Sequence, residues 1–433
     1  MKPALSVLGI CAVALCLCAQ TAFAQGSLSP PGPPAPMMRT LEQIEPRIPI
    51  TNLPWTVTAP GSYYVVTNLV GHPVLPDGII VQASDVTIDL KGFTLQGGAG
   101  GGSGISVPSA VKNLKVFNGV IRDWVSDGVS AQNAENGRVA DLRVSNNGAS
   151  GITVGMGWIV AACQCFSNAT LGLNTMGYCT IRDCTAAYNA GAGIFAGGYS
   201  VLTACATMTN WAGIVTGPSC SITKCTAANN SWFGFNPAGS CVFDDCTASF
   251  NGTNGFVVYP GCRVVNCTSM NNVGNGFDAS WVGEEVPGCK ISGCTAMWNQ
   301  QNGIVVTYTG SIVENCVTSR NTLDGIRVGS RCFILLNSCD SNGQGGMGWA
   351  GIRVMGSFSR IDGNSATLNN GPGIFTGPVS NNCLIVRNTA HGNVGPNYGL
   401  AVGTWNAKIY SAASIPPLVQ GFAINDPWAN FDY

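Results

Sequence analysis

The sequence predicts an all-β solenoid, a single long coil with about three short parallel strands per turn. A unit recurs along it: Cys, an apolar residue at +2, Cys at +5, Asn at +10, then Gly followed by Ile or Phe. Its Gly-apolar step runs from Gly104 through Gly128, Gly151, Gly172, Gly193 and onward to Gly399, mostly at intervals of 20–24 residues. Self-similarity at such a period marks stacked repeats. The apolar runs are short, alternate with period two and are broken by Gly, Asn and Asp, which fits strands and not paired helices. Leu is too sparse for a leucine-rich repeat.

Taken in order, residues 1–24 read as a secretion signal: Lys2 at the positive end, an apolar core over residues 5–17, and Ala22, Phe23 and Ala24 as a small-x-small cleavage site. The apolar run is too short for a membrane span. Export is therefore expected, to the periplasm, the cell surface or the medium. Residues 25–39 form a Pro-rich linker. Residues 40–60 are expected to form an N-terminal cap. Thr40 and Gln43 fit a capping box, so a short helix there would cover the exposed edge of the first coil. Residues 61–410 carry the solenoid, about 14 coils of roughly 21–24 residues. Residues 411–433 read as a C-terminal flap in which Trp428 and Phe431 cover the last coil.

Each strand should pair with its counterpart one coil up, about 4.8 Å away, placing like on like. One interior ladder would be Ile194, Ile214, Phe235, Phe256, Phe277 and Ile304; another Ile181, Ile222, Phe243, Val264 and Ile291. Asn189, Asn210, Asn230, Asn251, Asn272, Asn299, Asn321 and Asn342 would form a corner ladder. Asn tolerates left-handed backbone there, and its amide can pair with that of the next coil.

On these repeats the chain resembles the right-handed, single-stranded parallel β-helix proteins of the pectate-lyase-like superfamily, specifically secreted bacterial ones, over roughly residues 60–410. That fold hosts lyases, hydrolases, epimerases, tail-spike adhesins and inert surface proteins, so the resemblance implies a fold and leaves the activity open.

Composition narrows the function classes. Formal net charge is −1 and charged residues are 9% of the chain. No basic stripe appears, which argues against nucleic acid as a partner. Three of the 20 cysteines fall in the leader. Most others stand in repeat register: Cys184, Cys205, Cys225, Cys246, Cys267, Cys294, Cys316 and Cys339 in one column, and Cys179, Cys220, Cys241, Cys262, Cys289 and Cys332 in a second. A metal site would want His or tight CxxC spacing, and neither occurs. A disulfide framework suits an exported protein, but in-register Cβ vectors would be parallel and would strain the bond. Interior ladders, with Cys as a small hydrophobe, are the favoured reading. No metal and no cofactor are expected. Outside the leader the histidines are His72 and His391, far apart in the stack, which disfavours His-based catalysis.

The resemblance implies that any site lies on the solvent face of one long sheet. Residues two after the repeating Gly should point outward there, and the polar exceptions are Asp278, Arg327 and Arg353. An insertion after Ser280 adds Trp281, Glu284 and Glu285; the loop before Gly351 adds Trp349; Asp324 precedes Gly325. As a polysaccharide groove, Asp278, Glu284, Glu285 and Asp324 would supply acid and base. Arg327 and Arg353 would hold uronate carboxylates, and Trp281 and Trp349 would stack on sugar rings. A lyase or glycoside hydrolase would follow. The chain lacks the paired-Asp signature of polygalacturonases and the Asp cluster that holds Ca²⁺ in pectate lyases. The blander reading is a solvated face on a structural or adhesive surface protein. Tyr188, Phe250 and Trp298, each before a corner Asn, are expected to form an outer aromatic stripe.

Overall fold

A computed structural model describes residues 45–75, 77–280, 286–411 and 426–433. The chain divides into two compact units, Met1–Pro46 and Arg47–Tyr433, and the second is the solenoid. The described elements are all strands, most of them three residues long, in parallel pairs. They form one 16-stranded and one 32-stranded sheet, most coils giving one strand to the first and two to the second.

The 16-stranded sheet sets the coil number at 16, against the 14 Gly-apolar steps. The two further coils lie at the N-terminal end, where Trp55–Val57 pairs with Ile79–Val81 and Ile48–Ile50 pairs with Gly61–Val65. The segment 40–60, expected as a cap, thus enters the sheets from Ile48 onward. Pro54 stands where the repeating Gly would be, which hides this first coil from the periodicity. The expected helix at Thr40–Gln43 lies outside the described residues. At the other end Asn430–Asp432 pairs with Ile409–Ser411, and Phe431 meets Thr389. Trp428 is half-exposed and lies over Arg387 on the outer surface, with its indole 5.3 Å from the guanidinium.

Both interior ladders stand in the expected register. Ile194 pairs with Ile214, then Phe235, Phe256, Phe277 and Ile304. Ile181, Leu202, Ile222, Phe243, Val264 and Ile291 follow likewise. Phe256 stacks on Phe235 at 4.6 Å and on Phe277 at 4.8 Å, with Phe243 edge-on at 5.8 Å. A third wall of small residues, Ala186, Thr207, Ala227, Ala248 and Ser269, leaves room for these rings. The repeating Gly has a steric cause. A Cβ on Gly234 would lie 2.6 Å from the Gly255 carbonyl and 2.8 Å from the Asn251 amide nitrogen.

The Asn ladder runs further than the repeat motif suggests, beginning at Asn147 and continuing through Asn168 to Asn369 and Asn393. At each rung the side-chain oxygen accepts the backbone N–H and amide of the preceding coil, as Asn210 does from Asn189 at 3.0 and 2.9 Å. Its nitrogen donates to a carbonyl one coil back, Ala186 O at 3.0 Å. The residue before each Asn takes positive φ, even where it is bulky: Tyr188 at 59°, Phe250 at 55° and Trp298 at 52°. Such backbone is unusual for aromatic residues. The corner also turns all three rings outward.

The 17 cysteines among the described residues are free and buried. In one column Trp158, Ser200, Ser311 and Ser359 share places with the cysteines, the thiol standing where the hydroxyl does. In the other, Cys205, Cys225, Cys246 and Cys267 give way after Cys316 to Asn337, Asn364 and Asn388. Cys339 is not in that column: it pairs with Thr318, two residues further along. The sulfur does the work of the amide. Cys246 N–H reaches Cys267 Sγ at 3.4 Å, and Cys246 Sγ reaches Ile222 O at 3.4 Å. Burial pushes the Cys339 and Cys332 thiols up to about 12, so they are protonated near neutrality.

Candidate functional site

The outer face of the 16-stranded sheet carries Val257, Asp278, Val305, Arg327, Arg353 and Phe375 in unbroken register. Arg353 is pinned. Its Nε donates to both Asp324 oxygens at 2.9 Å, its Nη2 donates to Gly348 O, and its guanidinium lies 4.7 Å from the Phe375 ring and 5.9 Å from Trp349. Arg327, one coil below, has no hydrogen-bond or ion-pair partner among the described residues. Arg327, Arg353, Trp349, Gly348 and Met355 line an open cleft of about 390 Å³.

Asp324 has no exposed surface. It ends a second corner ladder, absent from the sequence reading. Asn275 N–H donates to Asn254 Oδ1 at 2.7 Å, Asn302 N–H to Asn275 Oδ1 at 3.0 Å, and Asp324 N–H to Asn302 Oδ1 at 3.0 Å. Ala350 N–H then donates to Asp324 Oδ1 at 2.7 Å. Burial raises the Asp324 pKa, opposed by Arg353, the Ala350 N–H and Arg327.

Asp278, expected on an open groove, is also buried. It accepts Asn254 Nδ2 at 2.7 Å, Asn275 Nδ2 at 3.3 Å and Ser280 Oγ at 2.5 Å. The corner amides fold over the sheet face and take up its lone pairs. Asp278 lies two coils from Arg327, roughly 10 Å by strand spacing. The structure therefore brings together Asp324, Arg327, Arg353 and Trp349, and leaves Asp278 apart. Trp281, Glu284 and Glu285 lie outside the described residues.

The raised Asp324 pKa has a measurable consequence. The folded chain holds this proton more tightly than the unfolded chain, so stability falls as pH rises from the ordinary carboxylate range through the raised value. Asp324→Asn keeps a ladder acceptor and removes the titration. Urea midpoints of both proteins between pH 4 and 7 should show the wild-type loss and a flatter variant; parallel curves would contradict the assignment.

A charged cluster that the sequence reading missed lies on the 32-stranded sheet. Asp362 is buried between Arg360 and Arg387, its oxygens within 3.0 Å of four guanidinium nitrogens. Arg360 and Asp362 flanking inward Ile361 were the available signal; Arg387 joins only through the coil stacking.

Among the described residues no helix is long and apolar enough to cross a membrane, and no group of three or more His, Cys, Asp or Glu is placed to hold a metal ion. No curated protein matches the chain. Solved structures similar to it include the A-module of the Azotobacter vinelandii mannuronan C-5 epimerase AlgE4, at 15% identity over 80% of this chain and 90% of that one, TM-score 0.39. The periplasmic alginate epimerase AlgG is 12% identical over 81% and 79%, TM-score 0.37. The Siphovirus 9NA tailspike receptor binding domain is 10% identical over 90% and 80%, TM-score 0.32. The family described as right handed beta helix region matches residues 59–214, 167–287 and 282–412. Those matches span most of the sequence, and the chain belongs to the right-handed β-helix family.

Proposed function

We propose that the chain is an exported protein that binds extracellular polysaccharide on the outer face of its 16-stranded sheet, at Arg327, Arg353 and Trp349. The observation that carries this reading is Arg327: a guanidinium without a partner among the described residues, open to a cleft walled by Trp349. Arg353 is already neutralised by Asp324, so Arg327 supplies the uncompensated charge for a sugar carboxylate, and Trp349 offers an apolar ring face. Binding is favoured over cleavage. Asp278 and Asp324 are buried and hydrogen-bonded, and an acid–base pair would have to draw on Glu284 and Glu285.

The test is a glycan array and a reducing-end release assay on the chain without residues 1–24. Uronate-containing glycans should bind. Arg327→Gln should weaken them roughly tenfold, the loss of one charge-assisted contact, with little effect on neutral glycans. Absence of glycan binding, or binding indifferent to both Arg327→Gln and Trp349→Ala, would favour the structural or adhesive alternative.

A further inference from the structure

The Arg360–Asp362–Arg387 cluster belongs to a cavity of about 570 Å³ lined also by Phe333, Leu335, Leu336 and Gly363. That volume lies within the usual range for small-molecule pockets, which are mostly apolar with a few placed polar groups. The cavity arises from stacking. Phe333 and Arg360 occupy one outward row, and Leu335 and Asp362 another. The next residue of each coil sits at a left-handed corner: Leu336 at φ 56°, Gly363 at φ 67° and Arg387 at φ 58°. Gly363 has no side chain, and the tip of Leu336 leans over it, its Cδ2 2.7 Å from where a Cβ would stand.

The chemistry of the lining is one-sided. Two guanidiniums face one carboxylate, an excess of one positive charge. Arg360 spends Nε and Nη2 on Asp362, as does Arg387, and neither Nη1 has a hydrogen-bond partner among the described residues. Asp362 already receives these bonds and is 3% exposed, so it has little capacity for a ligand's donors. The rest of the lining is hydrocarbon, with Phe333 44% and Leu336 61% exposed. A sugar would bring many hydroxyl donors and meet almost no acceptors. A ligand with an anionic head and an apolar body meets what is offered.

We propose that this cavity binds a small carboxylic acid with an apolar tail, its carboxylate at Nη1 of Arg360 and Arg387 and its tail against Phe333, Leu335 and Leu336. The site lies on a different sheet from Arg327 and stands independently of the polysaccharide reading.

Titration of the full chain with octanoate, followed by calorimetry, tests this. Octanoate should bind at least tenfold more tightly than 1-octanol, because only the former has a charge for the guanidiniums. Gly363→Asn should weaken octanoate at least tenfold, because its Cβ displaces the Leu336 tip from the wall that meets the tail and its amide takes up cavity space. The substitution suits the backbone, since Asn266 and Asn315 occupy the same corner row at φ 51° and 53°. Arg387→Gln, on a half-exposed side chain, should give a comparable loss without depending on the fit of that Asn. The proposal is overturned if octanoate does not bind, if octanol binds equally well, or if both variants bind octanoate like the parent.

Discussion

Phe256→Ala should lower the unfolding free energy by about 3–5 kcal/mol, the range for emptying a buried aromatic site. Phe256 has no exposed surface and lies between Phe235 and Phe277, with Phe243 against its edge. The cavity cannot close easily. The strand carrying Phe256 is held between the coils of Phe235 and Phe277 by parallel pairing, so relaxation must come from the rings alone. Three ring contacts are lost with the side chain, each worth a fraction of a kcal/mol to about 1.5 kcal/mol beyond burial. Because each coil touches mainly its neighbours, the variant should also unfold less cooperatively, with hydrogen exchange quickening first around residues 235–277. A urea midpoint within error of the parent, or a loss spread evenly along the chain, would refute this account of the core.

Asn321→Ala should cost on the order of 4 kcal/mol, from several buried polar groups losing a partner at about 1–3 kcal/mol each. Asn321 Oδ1 accepts Asn299 N–H and Nδ2, both at 3.0 Å, and its Nδ2 donates to Ala296 O at 3.0 Å and Asn342 Oδ1 at 2.9 Å. Alanine leaves the Asn299 N–H inside the wall without its acceptor, and the Ala296 carbonyl and Asn342 Oδ1 each short of one donor. Asn321→Cys should recover part of that loss. The parallel column already shows a thiol accepting a neighbour's N–H and donating to a carbonyl one coil back, and shows Cys316 followed by Asn337 without a break. Equal destabilisation by Ala and Cys, read from urea curves, would mean that the sulfur fills space only.

The interior was legible because stacking converts a period in sequence into contact in space. Ile194, Ile214 and Phe235 follow at nearly equal intervals, so like falls on like. Where coil length varies, counting fails. Asn337 and Cys339 both lie at a plausible interval from Cys316, and only the pairing of Thr318 with Cys339 decides between them. The site was less legible for a related reason. Position along a strand predicted that Asp278 faces outward, and it does, but nothing local revealed that Asn254 and Asn275 lean over it from the corner. In sequence Asp324 is only the residue before Gly325. Its place at the end of the Asn254–Asn275–Asn302 row and its pairing with Arg353, 29 residues on, depend on the length of the intervening coil.

The sulfur columns carry a consequence for how the molecule wears. From Cys163 to Cys383 most turns hide a free thiol behind their own wall. An alkylating or oxidising reagent in solution meets none of them while the wall is shut. When one turn frays, the sulfur of that turn becomes the reactive one, and the covalent mark it takes up records which storey of the stack gave way.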